Sequence, residues 1–394
     1  MPLEDLSRID RTGKLLYEAG LRSTQFDYSK GFEALVQRDV KGRWIYEAGL
    51  HWRVFDCARG LDKLIEHRAT RWIYQAGVDW VHFDYVRALE ALTEIDKTAG
   101  WIYKAGRDWK RFDYVRGLEA LVEKDSTGQS ISYAGAHWKQ FDYARGFLAL
   151  IKKDGTGRWI HEAGVRWKRF YYMRASKALR EPKWIFEAGA NWDQFDYERG
   201  FEALIQKDET GEWLSKAGSL WTQFNYARGF EELLNNDKSG EYILSAGKSW
   251  KQFDYLRGFE ALVAKDKTGE NISYAGAWWK QFDYVRGFDE LVLKDKTGFW
   301  IVQAGAYWEQ FNHEKGFEKL LERDETGEHI LTAGNLWKRF SNRKGLQVLR
   351  NINSSYYKEA EENWPMEAWQ VEERSKELKE KAIPFPKKPF KLKE

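Results

Sequence analysis

The sequence lacks most features that mark secreted, membrane-spanning or metal-binding proteins. Its 394 residues contain one cysteine, Cys57, so no intrachain disulfide and no cysteine-based zinc cluster can form. No apolar run approaches the roughly 20 residues that span a bilayer, and the first ten residues lack the apolar core of a signal peptide. We therefore expect a soluble, intracellular, cytoplasmic protein that makes no contact with a membrane.

Motifs of the common enzyme classes are also missing. The sequence contains no nucleophile elbow, phosphate-binding loop or dinucleotide fingerprint. The seven histidines include no pair on successive turns of one helix, as a helical zinc site would require. Lys and Arg (64) nearly balance Asp and Glu (61), and the charge of +3 is spread along the chain. The sequence predicts neither catalysis nor a cofactor.

What the chain has instead is a repeat rich in aromatic residues. Aromatic residues make up 16% of the sequence and include 21 tryptophans, while 32% of residues are charged, which indicates a dense aromatic core beneath a solvated surface. An Ala-Gly pair recurs twelve times, and nine of the eleven steps are 29 residues long. The alanines are Ala19, Ala48, Ala76, Ala105, Ala134, Ala163, Ala188, Ala217, Ala246, Ala275, Ala304 and Ala333.

Each repeat carries two stretches of helical periodicity, which we call helix A and helix B. In the fourth repeat, Trp101, Ala105 and Trp109 lie at helical spacing in helix A, and a second stripe follows Asp113 in helix B. We expect each helix to be about 11 residues long and to depend on stacking for its stability. The shortened step after Ala163, which contains Pro182, predicts a bend near residues 180–183.

Short polar side chains stand where both helices begin. The expected caps of helix B are Asp27, Asp56, Asp84, Asp113, Asp142, Asp196, Asn225, Asp254, Asp283, Asn312 and Ser341, with Tyr171 as the exception. The expected caps of helix A are Thr127, Thr156, Thr210, Thr268, Thr297 and Thr326, each followed by glycine.

Small residues in both helices indicate close packing. Ala-Gly in helix A is matched in helix B by a glycine, or by Ala88 and Ala175, and we expect the two backbones to approach closely there. A tryptophan stands four residues after the alanine in eleven repeats, and only the first repeat departs, with Ser23. Packing between repeats is the favoured role of these rings; stacking on bases or sugars is the alternative.

The pattern resembles the tetratricopeptide repeat. Trp101 and Ala105, and then Asp113, Tyr114, Arg116 and Gly117, fall at intervals that match that family, although the unit here is 29 rather than 34 residues long. The resemblance implies a superhelical all-α solenoid over residues 1–350 whose helix-A surface is concave and binds peptides or proteins. We expect capping helices at residues 351–382 and an extended tail rich in proline and lysine at residues 383–394.

A basic residue recurs three positions after each helix-B cap, and we call this series the ladder. It includes Arg87, Arg116, Arg145, Arg199, Arg228, Arg257 and Arg286. One interpretation is a row of contacts to phosphates or to an acidic partner, one per repeat. The favoured interpretation is local salt bridging, because most of these side chains have an acid three residues away in the same helix.

Specificity is expected at positions that vary between repeats, two residues before and two or three after the alanine. The candidate partner-binding residues, with two lysines that follow the tryptophans, are Tyr46, Tyr74, Tyr103, His137, Lys139, Lys168, Trp278 and Tyr307. Ordinary surface variation explains the same pattern. Three functions stay open: a protein-binding scaffold, which we favour, a nucleic-acid-binding solenoid that uses the ladder and aromatic stacking, and a structural subunit of a larger assembly.

Overall fold

Every repeat contributes one A helix and one B helix to the structure. The A helices are α2 (Lys14–Arg22), α4 (Arg43–His51), α6 (Thr70–Asp79), α8 (Gly100–Asp108), α10 (Gln129–His137), α12 (Arg158–Arg166), α14 (Pro182–Asn191), α16 (Glu212–Leu220), α18 (Glu241–Ser249), α20 (Glu270–Trp278), α22 (Phe299–Tyr307) and α24 (Glu328–Leu336). The B helices are α3 (Tyr28–Arg38), α5 (Cys57–Glu66), α7 (Tyr85–Ile95), α9 (Tyr114–Lys124), α11 (Tyr143–Lys153), α13 (Tyr172–Ala178), α15 (Tyr197–Lys207), α17 (Tyr226–Asn236), α19 (Tyr255–Lys265), α21 (Tyr284–Lys294), α23 (His313–Leu321) and α25 (Asn342–Asn351). Two further helices, α1 (Leu3–Ile9) and α26 (Tyr357–Asn363), flank them.

These helices form an all-α helical-repeat solenoid, as the periodicity predicts. The computed structural model describes residues 3–352 and 354–364, and this part of the chain contains no strand. The chain divides into two units, residues 1–203 and residues 204–394. Within each unit, consecutive A helices pack closely on one another and on the B helices of their own repeats, whereas consecutive B helices make fewer contacts.

Tryptophan side chains join one layer to the next, and the favoured packing role for these rings is confirmed. Trp138 is 6% exposed, and its indole Nε1 donates to the Tyr103 carbonyl oxygen of the preceding repeat at 3.0 Å. A β-carbon on Gly106 would overlap the Trp138 ring, and one on Gly117 would overlap the ring of Phe112. The glycines therefore make room for aromatic rings, and the atoms nearest to Gly106 and Gly117 are ring atoms rather than backbone atoms of the other helix.

The caps of helix B agree with the sequence. Backbone amides in the first turn donate to the side chains of Asp and Asn caps, as Arg116 N does to Asp113 Oδ1 at 3.1 Å. Two positions differ from the rest. Ser341 accepts no such bond, and Tyr171, the exception in the sequence, accepts none either.

The cap of helix A is a different residue from the expected threonine. In α10 the capping position is Gly128, with φ of 89°, and the buried carboxylate of Asp125 organises the turn. Its Oδ1 accepts from the amides of Thr127 and Gly128 at 2.9 Å, and its Oδ2 accepts from the amide of Ile131 at 3.0 Å. The Thr127 hydroxyl accepts from the first helical amide, Gln129 N, at 3.2 Å and donates to Asp125 Oδ1 at 3.2 Å. The threonine prediction is confirmed only in part: the hydroxyl accepts from one free amide, the capping position itself is the glycine, and the aspartate accepts from more of the free amides.

Helix A is also shorter than the expected 11 residues. It has nine or ten residues and ends just before the tryptophan, or before Ser23 in the first repeat. Trp109 is extended, with ψ of 144°, and its amide donates to the Ala105 carbonyl oxygen at 2.9 Å. The chain leaves the helix there because the indole must reach the A helix of the preceding repeat.

The last described helix continues the pattern of the repeat. In α26, Ala360 is fully buried, and Trp364 stands four residues later, as in helix A of a regular repeat. A β-carbon on Gly334 would overlap the Trp364 ring. The predicted capping helices beyond residue 364 and the tail at residues 383–394 lie outside the described residues, and the bend near residues 180–183 stays a prediction. No described helix has the length and apolar character needed to cross a bilayer.

Candidate partner-binding surfaces

The ladder cations lie exposed in the first turn of the B helices, and five of the seven arginines named above pair across repeats. Arg145 Nη1 lies 3.0 Å from Glu119 Oε1 in the preceding repeat, and Arg116 and Glu90 are related in the same way at 3.2 Å. Further pairs of this kind join Arg87 to Asp62, Arg257 to Glu231 and Arg286 to Glu260. Arg199 pairs within its own helix turn, with Asp196 at 3.4 Å. The ladder therefore links layers, beyond the contacts expected within one helix.

Three ladder arginines also cover aromatic rings, and the first of them, Arg59, lies 5.3 Å from the ring centroid of Phe32. The Arg257 guanidinium lies 5.4 Å from the ring centroid of Phe230, and that of Arg286 lies 5.3 Å from Phe259. Each arginine thus bridges a glutamate and a phenylalanine of the repeat before it. This contact closes the space between successive B helices.

Replacing Arg116, Arg145 and Arg199 with glutamine should lower stability only modestly and leave partner affinity nearly unchanged. These side chains are about half exposed, so each pair should contribute less than about 1 kcal/mol. Thermal unfolding and an affinity measurement on the same triple variant check both expectations. A large loss of affinity with an unchanged melting curve would make the ladder a binding site.

The A helices carry the variable candidates, and two of their positions meet across repeats. In three consecutive layers, the side chain two residues before the alanine contacts the side chain three residues after the alanine of the next repeat. The Tyr46 hydroxyl, on a buried ring, donates to Asp79 Oδ2 at 2.6 Å. Tyr103 and His137 are joined in the same way, with 3.1 Å between the hydroxyl and Nδ1. Variation at one position is therefore coupled to variation at the other.

One of these contacts is a charged hydrogen-bond network that joins Tyr74, Asp108 and Arg107. The Tyr74 hydroxyl donates to Asp108 Oδ2 at 2.5 Å, and Arg107 Nε donates to Asp108 Oδ1 at 2.8 Å. The hydrogen bond from Arg107 holds the pKa of the Asp108 carboxyl below its ordinary value. Burial, helped by Asp108, raises the pKa of Tyr74 to about 12. Tyr74 therefore stays a neutral donor and Asp108 an anion through the neutral range.

A second aromatic row on the A helices was not recognised as a surface feature from the sequence. Trp72 is half-buried, stacks on Tyr46 at 5.1 Å between ring centroids, and is covered by the Arg71 guanidinium at 5.0 Å. Trp101 packs on Tyr74 at 5.4 Å and lies under Lys104 Nζ at 4.1 Å. The signal was present, since an aromatic residue recurs four positions before the alanine. We call the surface formed by these A-helix side chains the A surface.

The remaining candidates lie outside these tyrosine contacts of the first unit. Trp278 stacks on Tyr274 at 4.7 Å and lies under Lys248 Nζ at 4.1 Å in the second unit. Tyr307, one repeat further on, is half-buried, and burial raises its pKa. Lys139 and Lys168 are exposed in the loops between helices A and B of the fifth and sixth repeats. The structure brings Tyr103 and His137 together but gathers the eight candidates into no single site.

Within the described residues, no group of three or more His, Cys, Asp or Glu side chains is placed to hold a metal ion. Shallow grooves run between consecutive B helices there, and one of them is lined by residues of α21, α23 and α25. A comparison of the chain with protein-family models finds no match, and a comparison with curated protein sequences also finds none.

Proposed function

We propose that this chain is a non-catalytic scaffold that binds a protein or a peptide along its A surface. The observation that carries the proposal is the contrast between two sets of side chains in each repeat. The buried tryptophans, the caps and the Asp-x-Thr-Gly turns are nearly constant, whereas the A-surface pairs change from layer to layer. Constant packing beneath a varied, rigidly held surface is how repeat proteins present an extended binding face.

The chemistry of the A surface supports protein recognition. Tyrosine, tryptophan and arginine dominate binding energy at protein interfaces, because they combine large contact area with directed hydrogen bonds. Here these residue types are half-buried and held by neighbours, as in Tyr103 with His137, so little side-chain freedom would be lost on binding. A cytoplasmic location is part of the proposal, since a chain with one cysteine needs no oxidising compartment.

The test is capture of the tagged protein from its native lysate, with and without nuclease, compared with a double variant, Tyr103→Ala with His137→Ala. We expect a discrete protein partner to survive nuclease and to bind the variant at least about tenfold more weakly. The matched control is Val86→Ala with Val115→Ala, two exposed helix-B positions of neighbouring repeats. Partner binding that is equal in both variants would contradict a role for the A surface.

Nucleic-acid binding is the second candidate, and the cation-covered rings favour it. Arg71 over Trp72 and Lys104 over Trp101 offer paired charge and stacking surface, the combination that single-stranded nucleic acids require. Loss of all partners on nuclease treatment, with nucleic acid recovered beforehand and steep salt dependence, would replace the scaffold proposal. A stoichiometric partner that resists high salt would instead indicate a structural subunit of a larger assembly.

A further inference from the structure

A groove with a cavity volume of about 810 Å³ lies between B helices α21, α23 and α25 of the second unit, and we call it the C-terminal groove. The rings of Phe288, Phe311, Phe317 and Phe340 line it. Val285 stands at its mouth and is 77% exposed. The groove lies in the B row and uses none of the A-surface residues.

The ladder changes at the C-terminal groove. One repeat earlier, Arg286 covers Phe259 and pairs with Glu260 at 3.5 Å, and the groove around it measures only about 300 Å³. In the next repeat Lys315 replaces the arginine, and Asp289 replaces the glutamate. The Asp289 carboxylate is one methylene shorter, and the lysine lacks the planar guanidinium that lies flat on a ring.

The rim of the groove is basic. Lys315, Arg339 and Lys344 line it, and among the described residues none of them has a carboxylate within 4.0 Å. The helix-B cap on this rim is Ser341, where most repeats have an aspartate, so the usual negative charge is missing as well. Asp289 and Glu314 are the acidic lining residues.

We propose that the C-terminal groove binds an acidic peptide segment of a partner protein, with one bulky apolar side chain of the segment on the phenylalanine rings. The three cations, which have no carboxylate partner among the described residues, complement the acids of the segment, and the aromatic lining complements its apolar side chain. The inference goes beyond the proposed function, because it adds a second site and defines the chemistry of its partner. A peptide fits better than a nucleic acid, because Asp289 and Glu314 would repel an unbroken row of phosphates, whereas a peptide can space its acids around them.

The probe is a fluorescein-labelled hexapeptide with two glutamates on each side of a phenylalanine-leucine pair, titrated against the full chain by fluorescence anisotropy. Two matched peptides replace the glutamates with lysines or the central pair with serines. We expect the first peptide to bind at least about tenfold more tightly than either control, and its affinity to fall as salt rises. Equal binding of the charge-inverted peptide would overturn the proposal.

A variant that restores the covered groove tests the structural cause. The double variant Asp289→Glu with Lys315→Arg recreates the pair seen at Glu260 and Arg286, so it should fold normally and cover Phe288. We expect it to weaken binding of the first peptide by about tenfold. A second double variant, Arg339→Gln with Lys344→Gln, should weaken binding of the first peptide by a similar factor. The control variant is Lys251→Gln with Lys267→Gln, which removes two exposed charges elsewhere in the second unit. It should leave peptide binding unchanged.

Two further results would overturn the proposal. The first is unchanged peptide binding in both groove variants. The second is tight binding of a 20-nucleotide single-stranded DNA that is lost in the same variants, which would assign the groove to nucleic acid. Because the Tyr103→Ala with His137→Ala variant leaves this groove intact, failure of the A-surface proposal and failure of the groove proposal give different results.

Discussion

Replacing Trp250 with alanine is expected to lower the free energy of unfolding of the second unit by about 3–5 kcal/mol. Trp250 is 2% exposed, and its Nε1 donates to the Ser215 carbonyl oxygen of the preceding repeat at 2.7 Å. The ring packs edge to face with Phe224 at 5.1 Å and fills the space left by Gly218. Alanine would leave a cavity between two layers and remove the hydrogen bond. Urea unfolding followed by circular dichroism measures the loss.

Two variants calibrate this result. Trp250→Phe keeps part of the ring but removes the indole donor, so it should cost less than alanine. Leu256→Ala, at a position that is 65% exposed in α19, should change stability by less than about 0.5 kcal/mol. Because a solenoid is stabilised mainly between neighbouring repeats, hydrogen exchange in the alanine variant should rise first in α16 and α18. A Trp250→Ala protein as stable as the parent would mean that the layers are not held by these rings.

The sequence predicted the solenoid because its strongest signals are local and periodic. The 29-residue step, the helical spacing of Trp101, Ala105 and Trp109, and the cap at Asp113 each depend on residues a few positions apart. The role of Gly106 could not be read in the same way. Its small size was apparent, but the ring that requires it belongs to Trp138 in the next repeat, and spacing alone does not show which distant residue fills a gap.

The candidate surfaces were harder to predict for the same reason. The positive charge of the ladder was evident from the sequence. Arg145, however, pairs with Glu119, which lies 26 residues earlier in the chain. A rule for contacts within one helix does not apply at that separation. Tyr74 and Asp108 were both recognised as variable positions, but their hydrogen bond joins residues 34 apart. Contacts between repeats need the register of the stack, and that register became known only with the structure.

The turn that begins helix A provides the second large effect. Asp237 is fully buried, and its Oδ1 accepts from the amides of Ser239 and Gly240 at 2.9 and 2.8 Å. Its Oδ2 accepts from the amides of Tyr242 and Ile243 at 2.9 and 2.8 Å. Replacing Asp237 with alanine leaves these four backbone donors without their carboxylate, and we expect a loss of about 2–4 kcal/mol in the free energy of unfolding.

Thermal and urea unfolding of three variants would test this expectation. Asp237→Asn keeps one carbonyl oxygen but places an amide donor against other donors, so it should lie between the parent and Asp237→Ala. Lys238→Ala, at the exposed neighbouring position, should be nearly neutral. If Asp237→Ala were as stable as Lys238→Ala, the carboxylate would not be what holds the turn. The positive φ of Gly240, at 84°, would then be the main requirement for starting helix A.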